Sequence, residues 1–375
     1  MKIVEICPYD MTRPGGVQTH IRDLANWLRR QGHEVMILAP KPALDVSEPG
    51  LRYIGAARDF GFQGSHFEIS LASRRDLAMI QAEMAEFGAD IAHIHTPWTP
   101  LMVWQVWRKL ALPSVATFHA TIPEQDSKTL ATRLLFRTAR YFMQRLDATI
   151  VPSTAPLATL SALAGGQDIA VLPPSIDLTD WHKAGQGATK STGPEVSLLY
   201  LGRLEDRKGI TTLLAAWAEI AAALPNAWLT IAGAGEREDA VQQALQHSDG
   251  RLQFIRQPDR QAALALAGQA DIFLAPAQYG ESFGLVLLEA MAAGAVPVAV
   301  ANRGYATVMT GPGADLLVPP GDAAAFAAKV IDFAGDPACL QTLRDWGYAH
   351  ADSYGLDQIG PQFEALFQKA INAHA

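Results

Sequence analysis

Three short segments bring charged or polar side chains to glycine-bounded turns, where α/β proteins hold anions and polyhydroxy ligands. The longest is Gly280-Glu281-Ser282-Phe283-Gly284-Leu285-Val286-Leu287-Leu288-Glu289-Ala290-Met291-Ala292-Ala293-Gly294. It puts one carboxylate in a loop and another two turns into the following predicted helix. Buried carboxylates so close to an apolar run need partners, and sugar hydroxyls are suitable ones. The backbone N–H groups of Ser282, Phe283, Gly284 and Leu285 can hold phosphate oxygens at the helix start. A core helix with one exposed glutamate is the plainer reading, but it leaves the flanking glycines unexplained.

The second segment is Leu201-Gly202-Arg203, at the end of a strand-like run, with Lys208-Gly209 opening the next helix. Two cations at a strand's carboxyl end, beside a helix N-terminus, suit a diphosphate. The same residues also serve as surface charge with helix punctuation. The third is Pro14-Gly15-Gly16-Val17, whose adjacent glycines allow a tight turn and close approach of backbone N–H groups to an anion. Alone it reads equally as an ordinary strand-to-helix loop. Gly233-Ala234-Gly235 lacks the third glycine of a dinucleotide fingerprint, which disfavours a nicotinamide-dependent epimerase or dehydrogenase. Neither a P-loop nor any Asp-x-Asp occurs in the chain.

The elements positioning these segments alternate between strand and helix. Apolar runs recur at Ile3–Cys7, Val35–Ala39, Ile91–Ile94, Ser114–Phe118, Ala148–Val151 and Ile169–Leu172, then at Ser197–Leu201, Trp228–Ala232, Gln253–Ile255, Ile272–Ala275, Val296–Ala299 and Leu316–Val318. Helical patterns lie between them: Val17–Arg30, Leu71–Phe87, Leu101–Leu110, Thr129–Leu146 and Ala155–Leu163 in the first half. The second half has Thr211–Ala223, Glu238–Gln246, Arg260–Ala267, Leu285–Ala293 and Ala323–Phe333. Such alternation implies parallel sheets covered on both faces, and hence an α/β chain of two Rossmann-like domains. Pro173-Pro174 closes the first set, and the Gly/Ser/Thr/Lys-rich stretch His182–Pro194 reads as a linker. The expected division is 1–175 and 176–352, with a C-terminal helix over 353–375 packing back on the first domain.

The chain has 375 residues, more than a single core usually holds, with 49% hydrophobic residues and a net charge of −8. That charge argues against nucleic acid as a partner. Residues 1–175 carry a balance of +1 and residues 176–375 one of −9, so the halves are suited to different surroundings. Cys7 and Cys339 are the only cysteines, which leaves no disulfide framework. The N-terminus runs straight into a strand without a secretory signal, and the longest apolar stretch, Phe283 to Ala301, is interrupted by Glu289, glycines and Pro297. A cytoplasmic protein is expected.

Taken together, Ile6-Cys7-Pro8-Tyr9, Pro14-Gly15-Gly16-Val17-Gln18-Thr19-His20, Ala116-Thr117-Phe118-His119, Leu201-Gly202-Arg203 with Arg207-Lys208-Gly209, and the Glu281 to Gly294 segment carry a resemblance over nearly the whole chain. The sequence resembles glycosyltransferase family 4, and within it the bacterial phosphatidylinositol mannosyltransferases. The resemblance implies a GT-B fold, with two domains facing across a deep cleft, and a retaining transfer from a nucleotide diphosphate sugar without a metal or other cofactor. It assigns Arg203 and Lys208 to the donor diphosphate, Glu289 to the ribose hydroxyls and Glu281 to the hydroxyls of the transferred sugar. Gly16 would let the first domain's loop approach the diphosphate. His119 would meet the reacting sugar near its 6-hydroxyl, although a lone histidine is also commonly a core residue, and Tyr9 and Gln18 would face the acceptor. The expected donor is GDP-mannose and the expected acceptor a lipid or lipid-linked hydroxyl at the inner membrane face. A UDP-sugar-dependent enzyme of exopolysaccharide, lipopolysaccharide or glycolipid synthesis is the alternative, and a catalytically silent sugar-nucleotide-binding protein another.

Two segments depart from that pattern. The hinge reads Pro173-Pro174-Ser175-Ile176-Asp177 instead of the common Pro-Asn-Gly-Val-Asp, and Ala78-Met79-Ile80-Gln81-Ala82-Glu83 lacks the basic cluster that the phosphatidylinositol enzymes carry for membrane attachment. Another helix offers cations instead: Lys128, Arg133, Arg137, Arg140 and Arg145 alternate with Leu134, Leu135, Phe136, Tyr141, Phe142 and Met143. Such a helix can rest on an anionic leaflet, or equally be a core helix with a solvated face.

Overall fold

A computed structural model describes residues 1–374 except 14, 43–47, 63–64, 98–100, 120–129 and 189–194. The chain divides into two compact units, Met1–Ile176 with Leu356–Ala375, and Asp177–Gly355.

In the first unit the strands are β1 (Lys2–Ile6), β2 (Glu34–Lys41), β3 (Leu51–Phe62), β4 (Ser65–Leu71), β5 (Ile91–His95), β6 (Ser114–Thr117), β7 (Ala148–Val151) and β8 (Ile169–Val171). They form one sheet in the order β4-β3-β2-β1-β5-β6-β7-β8. Chain order reverses between β1 and β5, and at such switch points the loops diverge and leave a crevice at the strands' carboxyl ends. The helices are α1 (Gly16–Arg30), α2 (Arg74–Phe87), α3 (Met102–Trp107), α4 (Leu130–Met143), α5 (Thr154–Ala164) and the C-terminal helix, α14 (Leu356–His374). Alternation along the strands sends Ile3, Ile37, Ile91, Val115 and Ile150 to the face covered by α1 and α14. Val4, Leu38, Ile94, Ala116 and Phe118 face the opposite core. α1 buries Ile21, Leu24, Ala25 and Leu28 at helical spacing against that first face.

One edge corrects the parallel reading. β3 and β4 form an antiparallel hairpin, Ala56 opposite Leu71 through Phe62 opposite Ser65. Gly55, Arg58, Asp59 and Gly61 break the alternation that would have marked β3 as a strand. Leu71, expected as helix, ends β4, and α2 begins three residues later because Ser73 and Asp76 form a reciprocal capping box.

The second unit has β9 (Val196–Leu201), β10 (Ala227–Gly233), β11 (Leu252–Arg256), β12 (Ile272–Ala275), β13 (Val296–Val300) and β14 (Leu317–Val318). Their order is β11-β10-β9-β12-β13-β14, with every described pairing parallel and the switch point between β9 and β12. The helices are α6 (Thr179–Gly187), α7 (Ile210–Ala223), α8 (Glu238–Gln246), α9 (Arg260–Gln269), α10 (Leu285–Ala292), α11 (Tyr305–Val308), α12 (Ala323–Ala334) and α13 (Pro337–Asp352). Of the stretch read as a linker, residues 182–187 belong to α6, which buries Trp181, while 189–194 lie outside the described residues. α13 was not marked by the sequence pattern. Asp336 caps it by accepting from the Cys339 N–H, with Pro337 at its first position.

Candidate active site

In the second unit, the loops after β9 and β12 meet at the switch point. Gly209 allows this. Its φ is +76°, and a Cβ there would lie 2.0 Å from the Pro276 carbonyl oxygen, so any other residue would push the loops apart. The Gln278 N–H donates to the Arg207 carbonyl at 2.8 Å and ties the two loops together. Lys208 Nζ then lies 2.7 Å from Glu281 Oε1, and Arg207 Nη1 is 3.4 Å from the same oxygen. Arg207 Nε reaches Glu205 Oε2 at 2.9 Å, and Arg203 Nη1 reaches Glu205 Oε1 at 2.8 Å. The result is an alternating chain of three cations and two carboxylates. Its surplus positive charge ends at Arg203, whose side chain is 51% exposed while Glu205 is only 6% exposed.

Burial raises the Glu281 carboxyl, but Lys208, Arg207 and Arg203 together carry it below its ordinary value. The Tyr200 hydroxyl donates to the Arg203 carbonyl at 2.7 Å and fixes the strand end, and burial holds its phenol well above the ordinary range. Beyond Glu281, Gly284 has φ +134°, and a Cβ there would lie 2.8 Å from the Tyr305 ring. It leads into α10 with no side-chain cap, which leaves backbone N–H groups at the helix start for an anion. Ser282 and Leu285 are half-buried beside that start. Phe283, whose backbone N–H is expected at the donor site, buries its side chain, 4% exposed and packed edge-on against Tyr354. Glu289, also half-buried, is the fifth residue of α10, so it stands just over one turn into the helix and not two.

In the first unit, the β1/β5 switch point carries a buried polar cluster on the sheet face that α1 and α14 cover. Strand register sets Glu5 beside His93 and His95 beside Thr117, and alternation keeps all four on one face. His119 follows β6 by two residues and is half-buried. Its Nε2 lies 2.8 Å from His95 Nδ1, and His95 Nε2 lies 2.7 Å from Glu5 Oε2. His93 Nδ1 is 2.8 Å from the same carboxylate oxygen, and its Nε2 is 2.8 Å from Thr117 Oγ1. From α1, His20 Nδ1 accepts from the Ser175 N–H at 3.0 Å. Burial and the neighbouring histidines hold His95 and His119 well below the usual histidine range; burial first, then His93, pushes His20 down to about 4. Thr96, immediately after His95, has φ +51°, a costly conformation for a β-branched residue, and such strain clusters at functional sites. Donor atoms of His20, His95 and His119, and of Glu5, His93 and His95, lie within 4.8 Å of one another. A metal ion needs such grouping, but both nitrogens of His95 are already engaged by Glu5 and His119.

Gly16 opens α1 at an exposed position, Tyr9 is half-buried after β1, and Pro14 lies outside the described residues. Gln18, expected to face an acceptor, is 8% exposed, and its amide donates to the Asp10 carbonyl at 3.3 Å. It braces the β1–α1 loop. On α4, Arg133, Leu134, Arg137, Arg140 and Tyr141 are exposed, as is Arg145 just beyond the helix, whereas Phe142 and Met143 belong to the core. Phe136 is half-buried; Lys128 and the Leu135 side chain lie outside the described residues. The Arg145 guanidinium stacks over the Tyr141 ring at 4.0 Å. Among the described residues no helix is long and apolar enough to cross a membrane.

Two sequence-family models match the chain in tandem. Residues 14–180 match "Glycosyltransferase Family 4" and residues 187–352 match "Glycosyl transferases group 1". A phosphatidyl-myo-inositol mannosyltransferase of Propionibacterium freudenreichii is 31% identical over 100% of this chain and 97% of its own length. One of Mycolicibacterium smegmatis is 32% identical, covering 90% of this chain and 85% of that protein. Among solved structures, sucrose-phosphate synthase of Thermosynechococcus elongatus superposes with a TM-score of 0.77 at 22% identity, covering 99% of each chain.

Proposed function

The chain belongs to glycosyltransferase family 4, with the GT-B fold of two Rossmann-like α/β domains, and from that premise we propose that this glycosyltransferase moves mannose from GDP-mannose to a lipid or lipid-linked hydroxyl, with retention at the anomeric carbon. The observation that carries the reading is the Arg203–Glu205–Arg207–Glu281–Lys208 network at the β9/β12 switch point.

The hard step is departure of the nucleoside diphosphate, which leaves with concentrated negative charge. In this reading Arg203, Lys208 and the N–H groups opening α10 stabilise that charge as it develops. Glu205 bridges Arg203 and Arg207, and Glu281 bridges Arg207 and Lys208, which holds the three cations in register. The chain carries no Asp-x-Asp, so side-chain cations and the helix start are assigned the neutralisation. In this reading Glu281 takes hydroxyls of the transferred sugar through the carboxylate that Lys208 orients, and Glu289 takes the ribose hydroxyls. Gly16 lets the β1–α1 loop approach the diphosphate. His119 receives the sugar's 6-hydroxyl, and Tyr9 borders the acceptor. A double displacement needs a carboxylate at the anomeric carbon. With Glu281 given to hydroxyls, attack on the leaving-group face through a short-lived ion pair is the better fit.

The relatives named above act, by their names, on phosphatidyl-myo-inositol, and the exposed basic face of α4 suits the anionic inner leaflet of a membrane. The chain is then a peripheral enzyme. One observation favours a second acceptor class. Ala78-Met79-Ile80-Gln81-Ala82-Glu83 on α2 carries no cation, so another lipid-linked acceptor, with a UDP-sugar as donor, is the alternative. Purified chain incubated with labelled GDP-mannose, UDP-glucose or UDP-N-acetylglucosamine and phosphatidylinositol or total lipid extract separates these. Labelled lipid from GDP-mannose and phosphatidylinositol supports the first reading; label only from a UDP-sugar replaces it.

A further inference from the structure

A carboxylate and three histidines in the first unit's core need a reason, since apolar residues would fill that space at lower cost. Glu5, His93 and His95 are completely buried, and α14 covers them with the rings of Phe363 and Phe367, 5.9 and 5.1 Å from His93. The hydrogen-bond order within the cluster is directional. A carboxylate only accepts, so His95 Nε2 carries the proton that reaches Glu5 at 2.7 Å. A neutral imidazole has one donor and one acceptor nitrogen, which makes His95 Nδ1 the acceptor and His119 Nε2 the donor across their 2.8 Å contact. His119 Nδ1 is thereby left as an acceptor.

We propose that Glu5 and His95 are positioning residues that hold His119 in the Nε2-protonated tautomer, presenting Nδ1 to accept a hydrogen bond from a hydroxyl of the transferred sugar. This rests on the sugar-side role given to His119 above. The other groups facing the chain are consistent with it. His20 on α1 accepts the Ser175 N–H at Nδ1, so its own proton sits on Nε2, and its ring packs 5.4 Å from that of His119. His93 on β5 shares the Glu5 oxygen at 2.8 Å. α14 supplies the two phenylalanine rings. With His95 and His119 both held well below the usual range, the imidazoles are neutral at physiological pH, and the tautomer, not the charge, is what the chain fixes.

The test is 15N NMR of histidine-labelled full-length protein, with His119 assigned by loss of its signals in His119→Asn. The wild type should show His119 protonated at Nε2. Glu5→Gln, which keeps shape but removes the obligate acceptor, and His95→Gln should each mix the two tautomers while retaining the melting transition. Both should lower kcat by about 10- to 100-fold, the scale of a misplaced contact group, with the donor KM within about twofold of wild type. A His119 protonated at Nδ1 in the wild type overturns the proposal, as does a tautomer indifferent to both substitutions. Full turnover in His119→Asn would instead refute the sugar-side role of His119 and leave the tautomer assignment standing, so the two failures are distinguishable.

Discussion

Lys208 and Glu281 stand 73 positions apart in sequence and 2.7 Å apart in the fold. Their contact joins the loops after the two strands flanking the second unit's switch point. Each residue also restrains the other: the ammonium keeps a 14%-exposed carboxylate ionised, and the carboxylate holds a long flexible side chain at the crevice.

Removing Lys208 should therefore do more than delete a charge. Lys208→Ala and Arg203→Ala should each lower kcat/KM by about 10²- to 10³-fold, the effect of losing one preorganised donor to a developing anion. Neither should shift the melting temperature by more than a few degrees. Steady-state kinetics beside a thermal melt on the same preparation decides whether these cations act on the leaving group or merely on the fold.

Gly209→Ala should lose stability and activity together. The new Cβ must displace the Pro276 carbonyl at a backbone conformation of φ +76°, with an expected cost of about 1–3 kcal/mol. Urea denaturation measures it directly. An unchanged midpoint would show that the two loops tolerate separation.

Acid should destabilise the first unit through its buried histidines. Between the unperturbed histidine value of about 6.5 and the folded His20 value of about 4, the unfolded chain binds a proton that the folded chain does not. Stability from this residue is thus fully present above about pH 6.5 and falls as pH drops toward 4. Melting curves across that window should slope less in His20→Asn than in the wild type.

Much of the second unit's site is contiguous in sequence, and there the reading from residues reached the geometry. Arg203 and Lys208 bracket one loop, Glu281 and Gly284 another, and each loop lies between a strand and a helix with clear periodicity. Glu205 escaped notice because its role comes only from what it bridges, Arg203 and Arg207. Glu5, His93 and His95 escaped for a longer-range reason. His93 and His95 alternate in a strand and so share a face, but Glu5 joins them only through the β1–β5 register, which no local pattern specifies. Gln18 shows the converse. The resemblance alone assigns it to the acceptor, and in the fold its amide donates to the Asp10 carbonyl. The β3–β4 hairpin was hidden by glycines and charges, and α6 by a composition that looks like linker until Trp181 is seen buried.

Membrane attachment should follow the exposed face of α4. Vesicle co-sedimentation should require anionic lipid and weaken with salt, because the Debye length shortens to about 8 Å near physiological ionic strength. Neutralising Arg133, Arg137 and Arg140 together should reduce binding by about two orders of magnitude, at roughly 1 kcal/mol per cation. Equal binding to neutral and anionic vesicles would remove α4 from the acceptor pathway.

The most direct measurement of the proposed chemistry is transfer of labelled mannose from GDP-mannose to extractable lipid by the wild type and by the Arg203→Ala/Lys208→Ala double variant, with the anomeric configuration of the product read by NMR. The wild type should release one GDP per α-linked mannolipid formed, and the folded double variant should form essentially none. A double variant that makes the same mannolipid at the wild-type rate would contradict the placement of the donor diphosphate at this network.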